Sequence, residues 1–163
     1  MTIQELQKQL DEMYANNELD EAYAFLVEQV NLAVQRQDNA MILFLLNEMI
    51  GYFRVTSQFQ SGNQIALQIF KILDMCGLEE TIDGATSYIN IATFYRVQGK
   101  YQEALSLYQK TEKIYHHELE PYDELYSAFY NNLSLLYQEM GDYQQAIDMQ
   151  KKALAIVEQL DDY

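Results

Sequence analysis

A register of about 42 residues recurs along this chain, and no other feature constrains its fold as much. Ala92–Ile114, ATFYRVQGKYQEALSLYQKTEKI, aligns with Ser134–Ile156, SLLYQEMGDYQQAIDMQKKALAI, at an offset of 42. Tyr95 falls on Tyr137, Gly99 on Gly141, Tyr101 on Tyr143, Gln102 on Gln144 and Ala104 on Ala146. A further 42 residues upstream, Phe53-Arg54-Val55 falls on Tyr95-Arg96-Val97, Ser57 on Gly99, Phe59 on Tyr101 and Gly62 on Ala104. The first copy, another 40 residues up, diverges most: Met13, Asn17, Leu19 and Ala22 take the same slots. A period of this size marks units that cannot bury an apolar face alone and therefore stack on their neighbours.

Each copy reads as helix, tight turn, helix. Leu133, Leu136, Tyr137 and Met140 have i, i+3, i+4, i+7 spacing before Gly141-Asp142, and Ala146, Met149, Ala153, Val157 and Leu160 continue the pattern after it. Gly99, Gly141 and Asn17 stand where a helix C-terminus needs a left-handed residue. Asp142 and Asp20 are expected N-caps of the helices that follow. Pro121, the only proline, is expected in the first turn of the seventh helix, where it costs least. The pattern predicts eight helices, near 2–15, 20–36, 39–56, 60–76, 81–98, 101–117, 121–140 and 143–160. They form four modules (2–37, 38–79, 80–120 and 121–160) of a single domain over 1–163. One Pro and six Gly are few breakers, in keeping with long helices.

Composition narrows the function. With 10 Lys+Arg against 25 Asp+Glu, the net charge is −15, split evenly between the two halves of the chain. Such a surface repels a phosphate backbone and an anionic membrane, so neither nucleic acid nor membrane is an expected partner. Cys76 is the only cysteine, which excludes an intrachain disulfide and a CxxC zinc site. The opening MTIQELQKQLDEMY has no basic stretch followed by an apolar one, and the longest apolar run is Ala40–Leu46. A cytoplasmic protein is the expectation.

The motif pattern resembles the tetratricopeptide repeat, whose signature is a large residue, then L-G/A, then Y, then A-x3-F/Y. The third copy carries Tyr88-x2-Ile91-Ala92-x2-Tyr95 and Ala104-x3-Tyr108. The fourth carries Tyr130-x2-Leu133-Ser134-x2-Tyr137 and Ala146, with Gln150 in the last aromatic slot. Ala92, Ser134, Ala104 and Ala146 are small so that paired helices can approach closely. The longer spacing and the run Tyr130-Asn131-Asn132-Leu133 are similar to the kinesin-light-chain type, shared by many bacterial regulatory proteins. The resemblance is strong over 81–160, moderate over 39–76 and weak over 2–36. It implies an all-α, right-handed superhelical solenoid that is non-catalytic and binds a protein partner or extended peptide along its concave face.

Carried over residue by residue, the resemblance implies inward rows formed by the first helix of each module. They are Gln7, Asn47, Ile89 and Asn131; Lys8, Glu48, Asn90 and Asn132; Asp11, Gly51, Thr93 and Leu135; and Tyr14, Arg54, Arg96 and Gln138. Asn90 and Asn132 could each donate to a peptide carbonyl and accept from a peptide N–H at once. The alternative is that these Asn serve their own helix or water. Arg54 and Arg96, on one row, could hold a carboxylate, or could instead pair with Glu48 or Glu139. The family's chaperone-adaptor carboxylate clamp is not matched, because Gln7 and Asp11 stand where it wants Lys and Asn. Tyr95, Tyr101, Tyr137 and Tyr143 are expected to pack.

The two terminal helices differ. The apolar residues of the first lie in an arc of about 100°, whereas those of the last spread over about 180°. Three explanations stand side by side: Ile147 and Leu154 pair with a second copy, a further element of a longer chain covers them, or the exposure is tolerated. Catalytic and cofactor motifs are missing. His116 and His117, adjacent on a helix, point about 100° apart and do not suit one metal. Cys76, with no His nearby, is expected to be a buried small hydrophobe.

Overall fold

The computed structural model describes residues 1–161, which contain eight α-helices and no β-strand. They are α1 Ile3–Ala15, α2 Leu19–Gln35, α3 Asn39–Val55, α4 Phe59–Met75, α5 Ile82–Val97, α6 Tyr101–Glu118, α7 Leu125–Glu139 and α8 Tyr143–Asp161. Two compact units emerge, one over Met1–Gly77 with α1–α4 and one from Leu78 onward with α5–α8.

The repeat slots become identical turns. At Gly99 (φ +80°) and Gly141 (φ +82°) the chain enters the left-handed region, and so it does at Asn17 (φ +60°) and Ser57 (φ +56°). In each turn two amides fold back onto the helix just ended. Lys100 N–H donates to the Tyr95 carbonyl at 2.9 Å and Gly99 N–H to Arg96 at 3.0 Å; Asp142 and Gly141 repeat this onto Tyr137 and Gln138. Glu18 onto Met13 and Gln58 onto Phe53 are the same 6→1 bond. The repeat aromatic and the repeat glycine are thus two ends of one hydrogen-bonded turn. Gln37 (φ +55°) closes the α2–α3 turn in the same way.

Four expectations need correction. First, α7 begins at Leu125, not at Pro121. Pro121 and Tyr122 sit in a turn that the Asp123 N–H closes onto the Glu120 carbonyl, and the Asp123 carboxylate accepts the Leu125 N–H at 2.9 Å. The helix therefore starts behind Glu124 at the cap position, with the Asp123 carboxylate before it holding the first helical amide, and proline holds the residue before it out of helical conformation. Second, Asp20 lies inside the first turn of α2, behind Glu18 at the cap position, and acts only through the helix dipole. Asp142 does cap α8, accepting the Gln145 N–H at 3.2 Å. Third, Tyr143 is 65% exposed, because it lies off the row Ala146, Met149, Ala153 and Ile156 that α8 buries. Fourth, Cys76 is half-buried at the C-cap of α4 rather than fully enclosed.

Packing follows the repeat. In the first unit Leu6, Leu10, Leu26, Leu45, Ile50 and Ile69 are buried, and Tyr23 stacks on Tyr52 at 4.9 Å between ring centroids. In the second, Tyr88, Phe94, Tyr108 and Phe129 are buried, and Tyr115 meets Tyr126 and Phe129 edge-on. Ala92, Ala104 and Ser134 are fully buried, as the close approach of paired helices requires. Ser134 makes the closeness explicit: its Oγ donates to the Ala146 carbonyl across the α7–α8 crossing at 2.9 Å.

Gly84 is a requirement that the periodicity does not reveal. Thr81 caps α5, its Oγ1 accepting the Gly84 N–H at 3.1 Å and donating to the Leu78 carbonyl at 2.6 Å. That folds the incoming chain onto the helix, and a Cβ on residue 84 would lie 2.3 Å from the Leu78 oxygen. Two glycine substitutions should therefore act in opposite directions. Gly84→Ala should cost about 2 kcal/mol or more by overpacking against backbone. Ser57→Gly should gain up to about 1 kcal/mol by removing a side chain from a left-handed position. Denaturant unfolding followed by circular dichroism reads both, and a stable Gly84→Ala variant would contradict the crowding.

Candidate peptide-binding surface

In the second unit the first helix of each hairpin is poor in charge, and the second carries most of it. Gly84–Tyr95 on α5 and Leu125–Gln138 on α7 contain no Asp, Glu, Lys or Arg, in a chain that is 21% charged. α6 by contrast carries Glu103, Lys110, Glu112, Lys113 and Glu118, and α8 carries Asp148, Lys151, Lys152, Glu158 and Asp161. On α5 the residues Thr86, Asn90, Thr93 and Val97 share one face by their spacing, all exposed or half-buried. On α7 Ala128, Asn131, Leu135 and Gln138 form the corresponding exposed face. The face is tied down from behind: Thr93 Oγ1 meets the Tyr108 hydroxyl of α6 at 3.0 Å.

The expected site residues divide between the units. In the second, Asn90 and Asn132 occupy equivalent half-buried positions on α5 and α7, while Asn131 and Gln138 are exposed. Arg96 is committed to an ion pair. Its Nη1 bonds Glu139 Oε1, its side chain is 14% exposed, and its buried Nε has no hydrogen-bond partner. Of the two uses open to this arginine, the structure has it bridging α5 to α7. The pair also cancels the two charges that border the neutral face.

In the first unit Asn47 is half-buried and donates from Nδ2 to the Leu43 carbonyl at 2.9 Å, while Arg54 is exposed. Glu48 is half-buried and faces Asp11 of α1; burial, then the neighbouring Asp11 charge, raises its pKa above the ordinary carboxylate value. Tyr14 beside them is pushed up to about 12, chiefly by burial and then by Glu48. An acid whose folded pKa is raised costs stability while ionised, and the cost fades as pH falls toward its unfolded pKa. Glu48→Gln should therefore raise the melting temperature at pH 7, by an amount worth less than about 1 kcal/mol. The advantage should shrink toward pH 4 and below. Paired melts across pH check this, and a Gln variant that is less stable at pH 7 would contradict it.

Ile147 (48% exposed) and Leu154 (57%) stand out on α8, with Val157 and Leu160 also exposed. His117 Nδ1 lies 2.9 Å from Glu118 Oε1, and α6 ends at Glu118, between His116 and Glu120. Among the described residues no helix is long and apolar enough to cross a membrane, and no group of three His, Cys, Asp or Glu could hold a metal ion. Sequence reasoning had named Glu139 only as one possible partner of Arg96. The firmer signal was their separation of 43, one repeat and one residue, which sets them on successive first helices.

The family model for the tetratricopeptide repeat matches residues 84–159. Among solved structures the chain is similar to BtubC (BKLC) from P. vanneervenii, with a TM-score of 0.82 at 20% identity. That likeness covers 94% of this chain and 61% of BtubC, so the chain spans under two-thirds of that protein's length; at such identity it speaks for the fold alone. No curated protein matches the chain. Residues 84–159 are thus matched as tetratricopeptide repeats, and the recurrent turns and all-α helical hairpins of the described residues give the rest of the chain the same kind of fold.

Proposed function

We propose that the chain is a non-catalytic interaction module whose first-helix faces bind an extended peptide or partner segment. Tetratricopeptide repeats are in general protein–protein interaction modules, which supports the coarse reading. The observation that carries the finer one is the uncharged α5 and α7 face, with carboxamides at Asn90, Asn131, Asn132 and Gln138 and apolar Leu135 and Val97 beside them. A neutral face bearing carboxamides suits main-chain amides, which carry no net charge and present a donor and an acceptor at every residue. In the first unit the exposed Arg54 of α3 offers a cation to a carboxylate, whereas Arg96 already has Glu139.

The test uses a random dodecapeptide display library selected on the full chain. Peptides recovered on the native chain should bind Asn90→Ala/Asn132→Ala about tenfold or more weakly, from two lost hydrogen bonds of about 0.5–1.5 kcal/mol each. Melting should stay within about 2 °C, because neither side chain is a core residue. Unchanged affinity would remove the Asn assignment, and recovery of no peptide would remove the binding reading itself. The exposed Ile147–Leu154 strip supports a second reading, an element that assembles through α8.

A further inference from the structure

Resting on the peptide-binding reading, we propose that Glu139 sets the specificity of the α5 and α7 face: by occupying Arg96 it makes that face refuse segments that carry a carboxylate. Arg96 and Glu139 stand at the end of two first-helix stretches that are otherwise uncharged, Gly84–Tyr95 and Leu125–Gln138. Arg96 holds the repeat slot of Gln138, and Glu139 holds the slot of Val97. At that end each repeat alone would present one charge, of opposite sign in the two copies, and stacking brings the two together. The same step of 43 from Arg54 lands on Val97, so the repeat provides no acid for that arginine and the pairing is particular to Arg96.

The pair leaves the arginine under-used. A guanidinium presents its N–H groups in a fixed fork, and a carboxylate that meets it squarely accepts from two of them. Here Nη1 donates to Glu139 Oε1, and Nε is enclosed with no acceptor. Arg96 therefore keeps capacity for a carboxylate, and Glu139 is what stands in front of it: the Arg96 side chain is 14% exposed and that of Glu139 38%. A segment laid along the face meets the acid before the cation. Glu139 also lines, with Glu103 of α6, a recess of about 400 Å³ between the α5–α6 turn and the end of α7. Main-chain amides and carboxamides lie against this arrangement without a charge penalty. An Asp or Glu brought there is set beside Glu139 within the Debye length of about 8 Å, where physiological salt screens little. A Lys or Arg gains little in return, because Arg96 already neutralises Glu139. Both signs of charge are thus turned away by one ion pair, and the carboxylate more strongly.

The experiment is an aspartate scan on a fixed probe. The probe is the tightest dodecapeptide without Asp or Glu that the display library yields on the full native chain, synthesised with an amidated C-terminus. Each of its residues is replaced by Asp in turn. Fluorescence anisotropy at about 0.15 M salt reads the affinities for the native chain, Glu139→Gln, and Glu139→Gln combined with Arg96→Gln. Gln at 139 keeps an oxygen that can accept from Arg96, so the α5–α7 link outlasts the charge, and circular dichroism verifies each fold. On the native chain no Asp peptide should bind more tightly than its parent. On Glu139→Gln at least one Asp peptide should bind about tenfold more tightly than on the native chain, as one charge-assisted hydrogen bond provides, while the parent changes less than about twofold. That gain should vanish in the double variant and fall at about 0.5 M salt, neither of which a purely structural Glu139 would produce. An Asp series that ranks alike on the native chain and Glu139→Gln would overturn the inference and leave the peptide-binding face standing. A gain that persists without Arg96, or a native-chain pool rich in Asp and Glu, would do the same. A library that yields no peptide on the native chain would overturn the binding reading and this inference with it.

Discussion

The 6→1 backbone hydrogen bond that ends each first helix governs how every hairpin is built. It runs from the amide five residues beyond the repeat aromatic, as in Lys100 onto Tyr95 or Asp142 onto Tyr137. Because the turn closes within two residues, the second helix must leave at a fixed angle and fold back along the first. Close contact then demands small residues at the crossing, and Ala92, Ala104 and Ser134 provide them. The aromatic rings fill the space that the crossing opens farther along. The turn bond is local, but the placement of every core side chain in a hairpin follows from it.

Charge is segregated between the helices in only one of the two units. In the second unit each hairpin has one helix that presents an uncharged outer face and one that carries the charges needed for solvation, as α5–α6 and α7–α8 show. Where charge does reach a first helix of the second unit, it is neutralised or peripheral: Arg96 meets Glu139, and Asp83 stands in the first turn of α5, where the helix dipole favours an acid. α3 is less tidy. Glu48 is held half-buried next to Asp11 at some cost, and Arg54 faces solvent. The two units thus expose chemically different surfaces although they share one motif.

Much of the fold was legible because the repeat encodes it redundantly. Aromatic, glycine and alanine slots recur in register, so all eight helices and four left-handed turns could be read from the sequence even where Ser57 or Asn17 replaces glycine. What the sequence hid was contact between residues outside the slots. Pro121 looked like a helix start, but the Asp123 carboxylate two residues on captures the first free amide and delays the helix. Gly84 fills no repeat slot, and its need arises only when Thr81 draws Leu78 back over α5. Tyr143 matches Tyr101 in register, yet a ring packs only if a neighbour faces it. The candidate site was legible as positions and not as partners: the rows named Asn90, Asn132 and Arg96, and only coordinates give Arg96 to Glu139.

The left-handed positions differ in kind between the two halves of the chain. In the first they are Asn17, Gln37 and Ser57; in the second they are Gly99 and Gly141, with Gly77 at the end of the first. Every side chain forced into that region stores a modest conformational cost that glycine does not carry. Residues 1–76 therefore hold their hairpins shut against a small standing tension that residues 78–161 lack. Transient local opening is most readily initiated at these turns, and slow amide exchange should persist longest in the α5–α8 half.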